Sequence, residues 1–198
     1  HQHSLLAAAG HRVRIYDPSV EWRSTLGQRL ESARALLGGD PALLARITAH
    51  DTMAPAMTGT DFVFEAAPEK LPLKQRIFAE LESLTAPATI LASNSSAIPS
   101  TRIGLHLKHR ERVIGTHFWN PPHLVPLVEV TQNVGVTPFR ARQAEALLQC
   151  DAGQYRAVIR KHARRVTDRE YVGMTGNGQI GLYLDASGTV GFGAKPAP

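Results

Sequence analysis

Short strand-like apolar runs alternate with segments of helical period through about residue 150, and this alternation restricts the chain to few architectures. Arg12–Tyr16 alternates polar and apolar residues at strand period and stops at Asp17-Pro18. Asp61–Ala66 and Thr89–Ala92 are almost continuously apolar, as strands covered on both faces are. Arg112–His117 and Leu127–Val130 read as two more strands and Arg46–Thr48 as a short one. Between them, Ser4–Ala9, Trp22–Leu37, Glu69–Leu84, Ile98–Leu107 and a stretch from Thr137 to about Leu148 carry helical patterns. Gly10 and Gly38-Gly39 close the first two. The expected class is α/β, a mostly parallel sheet with helices on both faces.

After residue 150 glycines crowd in, at 173, 176, 178, 181, 188, 191 and 193, and apolar periodicity fades. The chain therefore divides into 1–150, the α/β unit, and 151–198, an irregular tail. A β-hairpin around Gln179–Leu184 and a poorly ordered tail both fit that segment.

No apolar run approaches the roughly 20 residues that cross a bilayer. The single cysteine, Cys150, excludes an internal disulfide and fits a reducing, cytoplasmic setting. Of the formal charge of +5, the tail holds seven Lys/Arg against four Asp/Glu. Its cluster Arg160–Arg165 lacks interleaved aromatics and reads as a solvated face rather than a nucleic-acid surface. No metal site is expected.

Four groups of residues carry candidate chemistry. Asp17 ends what would be the second strand of a Rossmann unit, where a carboxylate accepts both adenosine ribose hydroxyls and selects NAD; an acidic residue that simply begins a turn is the plainer reading. His117 and Glu129 lie in two strands that a parallel sheet could set side by side. Oxidising an alcohol needs a base for the hydroxyl proton, and an imidazole held by a carboxylate suits that task. Ser93-Asn94-Ser95-Ser96 follows a buried strand at the edge where open α/β sheets bind ligands, though serine there also caps helices. Glu65, Glu69, Lys70 and Lys74 sit between a strand and a helix. Glu69 suits a first helical turn, and a lysine such as Lys74 is usually solvent-exposed.

Taken together, Ala9–Asp17, Asp61–Lys74, Leu91–Ser96 and Gly115–Val130 resemble the 3-hydroxyacyl-CoA dehydrogenase family, in order and in spacing, over roughly residues 4–148. Ser96, His117 and Glu129 follow one another at 21 and 12 residues. The resemblance implies a doubly wound sheet of order 3-2-1-4-5-6, here without its first strand and the Gly-x-Gly-x-x-Gly turn that binds pyrophosphate. Loss of that central strand would leave two neighbours with unpaired edges.

It further implies NAD as cofactor and an acyl-CoA or related small hydroxy-acid substrate. His117 would be the general acid/base, Glu129 its orienting carboxylate and Ser96 a hydrogen-bond partner of the substrate oxygen. Asp17 would hold the adenosine ribose, Glu69 and Lys74 would lie against the cofactor or CoA, and Asn94 and Ser96 would line the nicotinamide side. The family's helical domain, which usually makes its homodimer, has no counterpart after Leu148. Relatives that oxidise carnitine or small hydroxy acids share the pattern. An inactive Rossmann remnant serving as a binding or structural module is the alternative.

Overall fold

The computed structural model describes residues 2–8, 10–37, 41–119, 127–132, 156–160, 181–184 and 190–193. Helix α1 (Gln2–Ala8) ends as its alanine-rich sequence suggests. Gly10 adopts φ +93°, its N–H bonds Ala7 O at 3.1 Å, and the His11 N–H reaches Leu6 O at 3.1 Å. That pairing is a Schellman closure, which needs a left-handed residue and so favours glycine.

Strand β1 (Val13–Tyr16) follows, then α2 (Val20–Ser24) and α3 (Leu26–Leu37). The sequence suggests one helix from Trp22 to Leu37, but Thr25 divides it. The Thr25 hydroxyl bonds the carbonyls of Glu21 and Trp22 at 3.3 and 3.1 Å, competing with the helical ladder. A 3-10 turn (Pro41–Arg46) leads into β2 (Ile47–His50), and α4 (Met53–Met57), which periodicity did not suggest, leads into β3 (Phe62–Glu65). Then come α5 (Leu71–Leu84), β4 (Ile90–Ser93), α6 (Ser100–Ile103), β5 (Val113–Phe118) and β6 (Leu127–Gln132). Helix α6 is shorter than Ile98–Leu107 because Pro99 sets its start and Gly104 its end.

Strands β1 and β2 pair in parallel as a two-stranded sheet. A second sheet has the order β3-β4-β5-β6-β7, with β7 at Arg156–Arg160. Its ladders are parallel except β5–β6, which is antiparallel. This corrects the expectation that His117 and Glu129 sit on parallel neighbours. Only residues 119–126 separate the two strands, too few for the crossover that a parallel pair requires. In the tail, β8 (Gly181–Leu184) pairs antiparallel with β9 (Val190–Gly193), giving the hairpin suggested near Gln179–Leu184. The helix suggested over 137–148 and most of the basic cluster lie outside the described residues.

Three apolar clusters hold these layers. Val63, Phe78, Leu81, Leu91, Ile103 and Val113 pack α5 and α6 on one face of the larger sheet. Ile90, Ala92, Ile114, Phe118, Val128 and Val130 form its other face. Ala7, Leu26, Leu30, Leu43 and Ile47 pack α1 and α3 on the smaller sheet. Tyr16 and Met53 also lean on the first cluster, linking the two sheets through side chains. Among the described residues no helix is long and apolar enough to cross a membrane.

Candidate active site

The carboxyl ends of β3, β4 and β5 bring Glu65, Ser93–Ser96 and His117 to one edge. Buried apolar strands fix their backbones, and polar residues begin where the strands leave the core. His117 and Glu129 are cross-strand partners in the β5–β6 ladder. His117 Nδ1 lies 3.4 Å from Glu129 Oε2, and Nε2 lies 3.0 Å from Ser96 Oγ. The imidazole side chain keeps 28% exposure against 16% for the carboxylate, so the ring is open to a ligand while its partner sits behind it. The Trp119 ring stands beside it, 6.4 Å between centroids.

Two features hold this geometry. Asn94 Oδ1 accepts the Phe118 N–H at 3.0 Å, tying the end of β4 to the residue after His117. The Asn94 side-chain amino group is then directed elsewhere, with no partner among the described residues. Gly115 faces Thr131 across the ladder, and a Cβ there would stand 2.1 Å from Thr131 Oγ1. Close approach of β6 to β5 therefore requires glycine at 115.

Behind the edge lies a buried ionic hub. Lys74, far from being solvent-exposed, has 1% of its side chain accessible. Its ammonium donates to Glu65 Oε1 at 2.8 Å, to Oε2 at 3.1 Å and to Ala67 O at 2.9 Å. Glu65 also accepts from the Ala67 N–H at 2.6 Å and the Ser93 hydroxyl at 2.6 Å. Every charge is thus compensated, as burial demands. Lys74 Nζ is turned into the protein with its donors used, so it shapes the loop after β3. Its second carboxylate neighbour, Glu69, is 3.6 Å away and 40% exposed.

Glu69 spans two loops. Partial desolvation would raise its pKa. Hydrogen bonds from the Ser95 hydroxyl and the Ala97 and Ile98 amides, with the nearby Lys74 charge, prevail and hold the carboxyl below its ordinary range. Those amides lie 28 and 29 residues away in sequence, and no local pattern could have revealed them. Glu65 is likewise legible only as one member of a polar cluster, without its role.

Asp17 stands apart from the imidazole at the end of β1. Its Oδ1 accepts the Ser19 N–H at 2.8 Å, a turn-forming bond, and its backbone carbonyl accepts from Arg23. Its other carboxylate oxygen has no partner among the described residues. Asp17 lines the cleft that runs between β1 and β3.

Residues 3–151 match the family model described as 3-hydroxyacyl-CoA dehydrogenase, NAD binding domain. The chain is 35% identical over 127 residues to an L-carnitine dehydrogenase of Streptomyces coelicolor, covering 62% of this chain and 40% of that relative. It is 31% identical over 170 residues to the 3-hydroxyadipyl-CoA dehydrogenase of Escherichia coli K12, covering 80% and 34%. The crystal structure of 3-hydroxybutyryl-CoA dehydrogenase from E. coli K12 superposes with a TM-score of 0.71 at 30% identity, covering 81% of this chain and 35% of that one. The chain spans less than two thirds of the length of each of these relatives.

Proposed function

The chain belongs to the family of 3-hydroxyacyl-CoA dehydrogenase NAD-binding domains, and we propose that its carboxyl edge supplies the acid–base chemistry of hydride transfer between NAD and a 3-hydroxyacyl thioester. One observation carries this reading: a half-exposed imidazole contacted at one nitrogen by a carboxylate and at the other by a hydroxyl. The residues present fit NAD at one point in particular. The Asp17 carboxylate, with one oxygen to spare at a strand end, suits a pair of ribose hydroxyls. Bound NAD would supply the hydride acceptor.

The chain's own residues account for the proton. A carboxylate at Nδ1 favours the tautomer with hydrogen on Nδ1, which leaves the Nε2 lone pair facing Ser96 and the open edge. Nε2 takes the substrate hydroxyl proton as the carbon–hydrogen bond breaks, and returns it in the reverse direction. With substrate in place, Ser96 gives its one hydroxyl hydrogen bond to the substrate oxygen, and the substrate's own hydroxyl proton points at Nε2. Glu129 stabilises the imidazolium and keeps the ring from turning. Asn94 holds β4 against β5, so that hydroxyl and ring stay in reach.

A second reading, oxidation of the carnitine hydroxyl, draws on the carnitine dehydrogenases among the relatives and would use the same imidazole. NADH titration followed by fluorescence tests the cofactor site. Saturable binding that Asp17→Ala weakens is expected, and no binding at millimolar NADH would defeat the reading. Turnover of 3-hydroxybutyryl-CoA against carnitine by the longest protein carrying this domain separates the two substrates.

A further inference from the structure

Ser96 stands on a stretch that no regular element holds, between the end of β4 at Ser93 and the start of α6 at Ser100. It is exposed, yet its hydroxyl lies 3.0 Å from His117 Nε2. One carboxylate from elsewhere in the chain fixes this loop. Glu69 Oε1 accepts from the Ser95 hydroxyl, from the Ala97 N–H at 3.0 Å and from the Ile98 N–H at 3.0 Å. These donors flank Ser96 on both sides. The Ile98 N–H is shared with Ser95 Oγ at 2.8 Å, which closes the loop on itself.

Glu69 is itself held from behind. It leaves the backbone just before α5, where the Lys70 N–H bonds Pro68 O at 2.7 Å and the Lys74 N–H bonds Lys70 O at 3.0 Å. Its Oε2 faces Lys74 Nζ at 3.6 Å, and that ammonium is tied to Glu65 and to Ala67 O in the buried hub. The two oxygens thus have different tasks: Oε1 gathers the loop, and Oε2 meets a fixed cation. Three donors converging on one atom restrict a backbone that neither ladder nor helix would otherwise order.

We propose that Glu69 is a positioning residue for the hydride-transfer site: it clamps Ser95, Ala97 and Ile98 so that the Ser96 hydroxyl stays within reach of His117 and the substrate oxygen. The inference rests on the dehydrogenase reading for what Ser96 does, and it requires no contact between Glu69 and the cofactor. The clamp depends on reach and on an acceptor oxygen, not on negative charge as such. Glutamine would keep an acceptor oxygen at the same reach and could turn its amino group to solvent, since the side chain is 40% exposed. Aspartate would keep the charge but fall one methylene short.

Two readouts test this. In a turnover-competent protein containing this domain, Glu69→Ala and Glu69→Asp should each lower kcat by about 10- to 100-fold, and Glu69→Gln by no more than about threefold. NADH affinity should be unchanged in all three. In a Ser96→Ala background, Glu69→Ala should cost less than about twofold more, because the clamp then has no hydroxyl to place. The second readout needs no turnover. At mildly alkaline pH the 15N resonance of His117 Nε2 in the full chain reports the hydroxyl beside it. Glu69→Ala and Glu69→Asp should shift that resonance as Ser96→Ala does, and Glu69→Gln should not. Nor should Gln75→Ala, which removes only a bond from α5 to Arg102 O. Parent-like behaviour of the aspartate variant with failure of the glutamine variant overturns the proposal, because charge would then be what matters. So do a loss of NADH affinity with kcat intact, losses that add to those of Ser96→Ala, or a His117 resonance that ignores Glu69. A parent that turns over neither 3-hydroxybutyryl-CoA nor carnitine defeats the dehydrogenase reading, and the resonance still decides the clamp.

Discussion

His117 and Glu129 are directly opposed in an antiparallel ladder, so sheet register brings them into contact. A register slip of one residue would turn one of them to the opposite face. The imidazole–carboxylate pair is therefore as rigid as the β5–β6 ladder that carries it.

In a turnover-competent protein containing this domain, His117→Gln should lower kcat by about 10^2- to 10^4-fold, the usual contribution of a positioned acid–base group. NADH affinity should stay within a factor of two, on the order of the error of the comparison. An unchanged kcat removes His117 from the mechanism.

Glu129→Gln should lower kcat more than it raises KM, by about 10^2- to 10^4-fold, because an amide can present its NH2 to Nδ1 and select the wrong tautomer. Steady-state kinetics with both substrates varied check this. A pure KM effect would assign Glu129 to binding instead.

Lys74→Met should destabilise the chain by about 3–5 kcal/mol, since it strands the Glu65 carboxylate in a buried site. Adding Glu65→Gln should recover much of that loss, and urea unfolding of the two single variants and the double variant measures the coupling. Additive losses would mean that the two groups do not act as a pair.

Gly115→Ala should cost about 1–3 kcal/mol through its clash with the Thr131 hydroxyl. Thr131→Ala in the same chain should restore most of it, because it removes the atom that a new Cβ would meet. Thermal melts of the three variants decide the matter; failure of the rescue places the strain elsewhere.

Glu69 has a depressed pKa in the folded chain, so its hydrogen-bonded loops are stabilised above the unfolded value of 4.5. That contribution drains away as pH falls through the lower folded value. Glu69→Gln should flatten the acid limb of the stability curve in that window and leave the neutral-to-alkaline side parallel to the parent. An unaltered acid limb would sever Glu69 from the Ser95–Ile98 loop.

The alternation of strands and helices was legible because buried parallel strands must be apolar and their helices amphipathic; Asp61–Ala66 and Glu69–Leu84 declare both patterns openly. His117, Glu129 and Ser96 stood out by their settings at strand ends and through the family resemblance, not by residue type alone, and the structure brings these three together. What the sequence hid is relational. The sense of β6 depends on the shortness of 119–126, and the burial of Lys74 depends on a carboxylate nine residues earlier. The break at Thr25 comes from a hydroxyl competing for carbonyls, which apolar periodicity does not register.

The seam between β1 and β3 bears on how the molecule comes apart. Among the described residues no ladder crosses it, and side chains such as Tyr16 and Met53 and the bridging α4 link the two halves. Segments joined that way open as separate foldons. Heating should release the β1–β2 half first, a protease should nick near residues 51–61 before it touches β4 or β5, and the calorimetric trace should broaden toward two overlapping peaks.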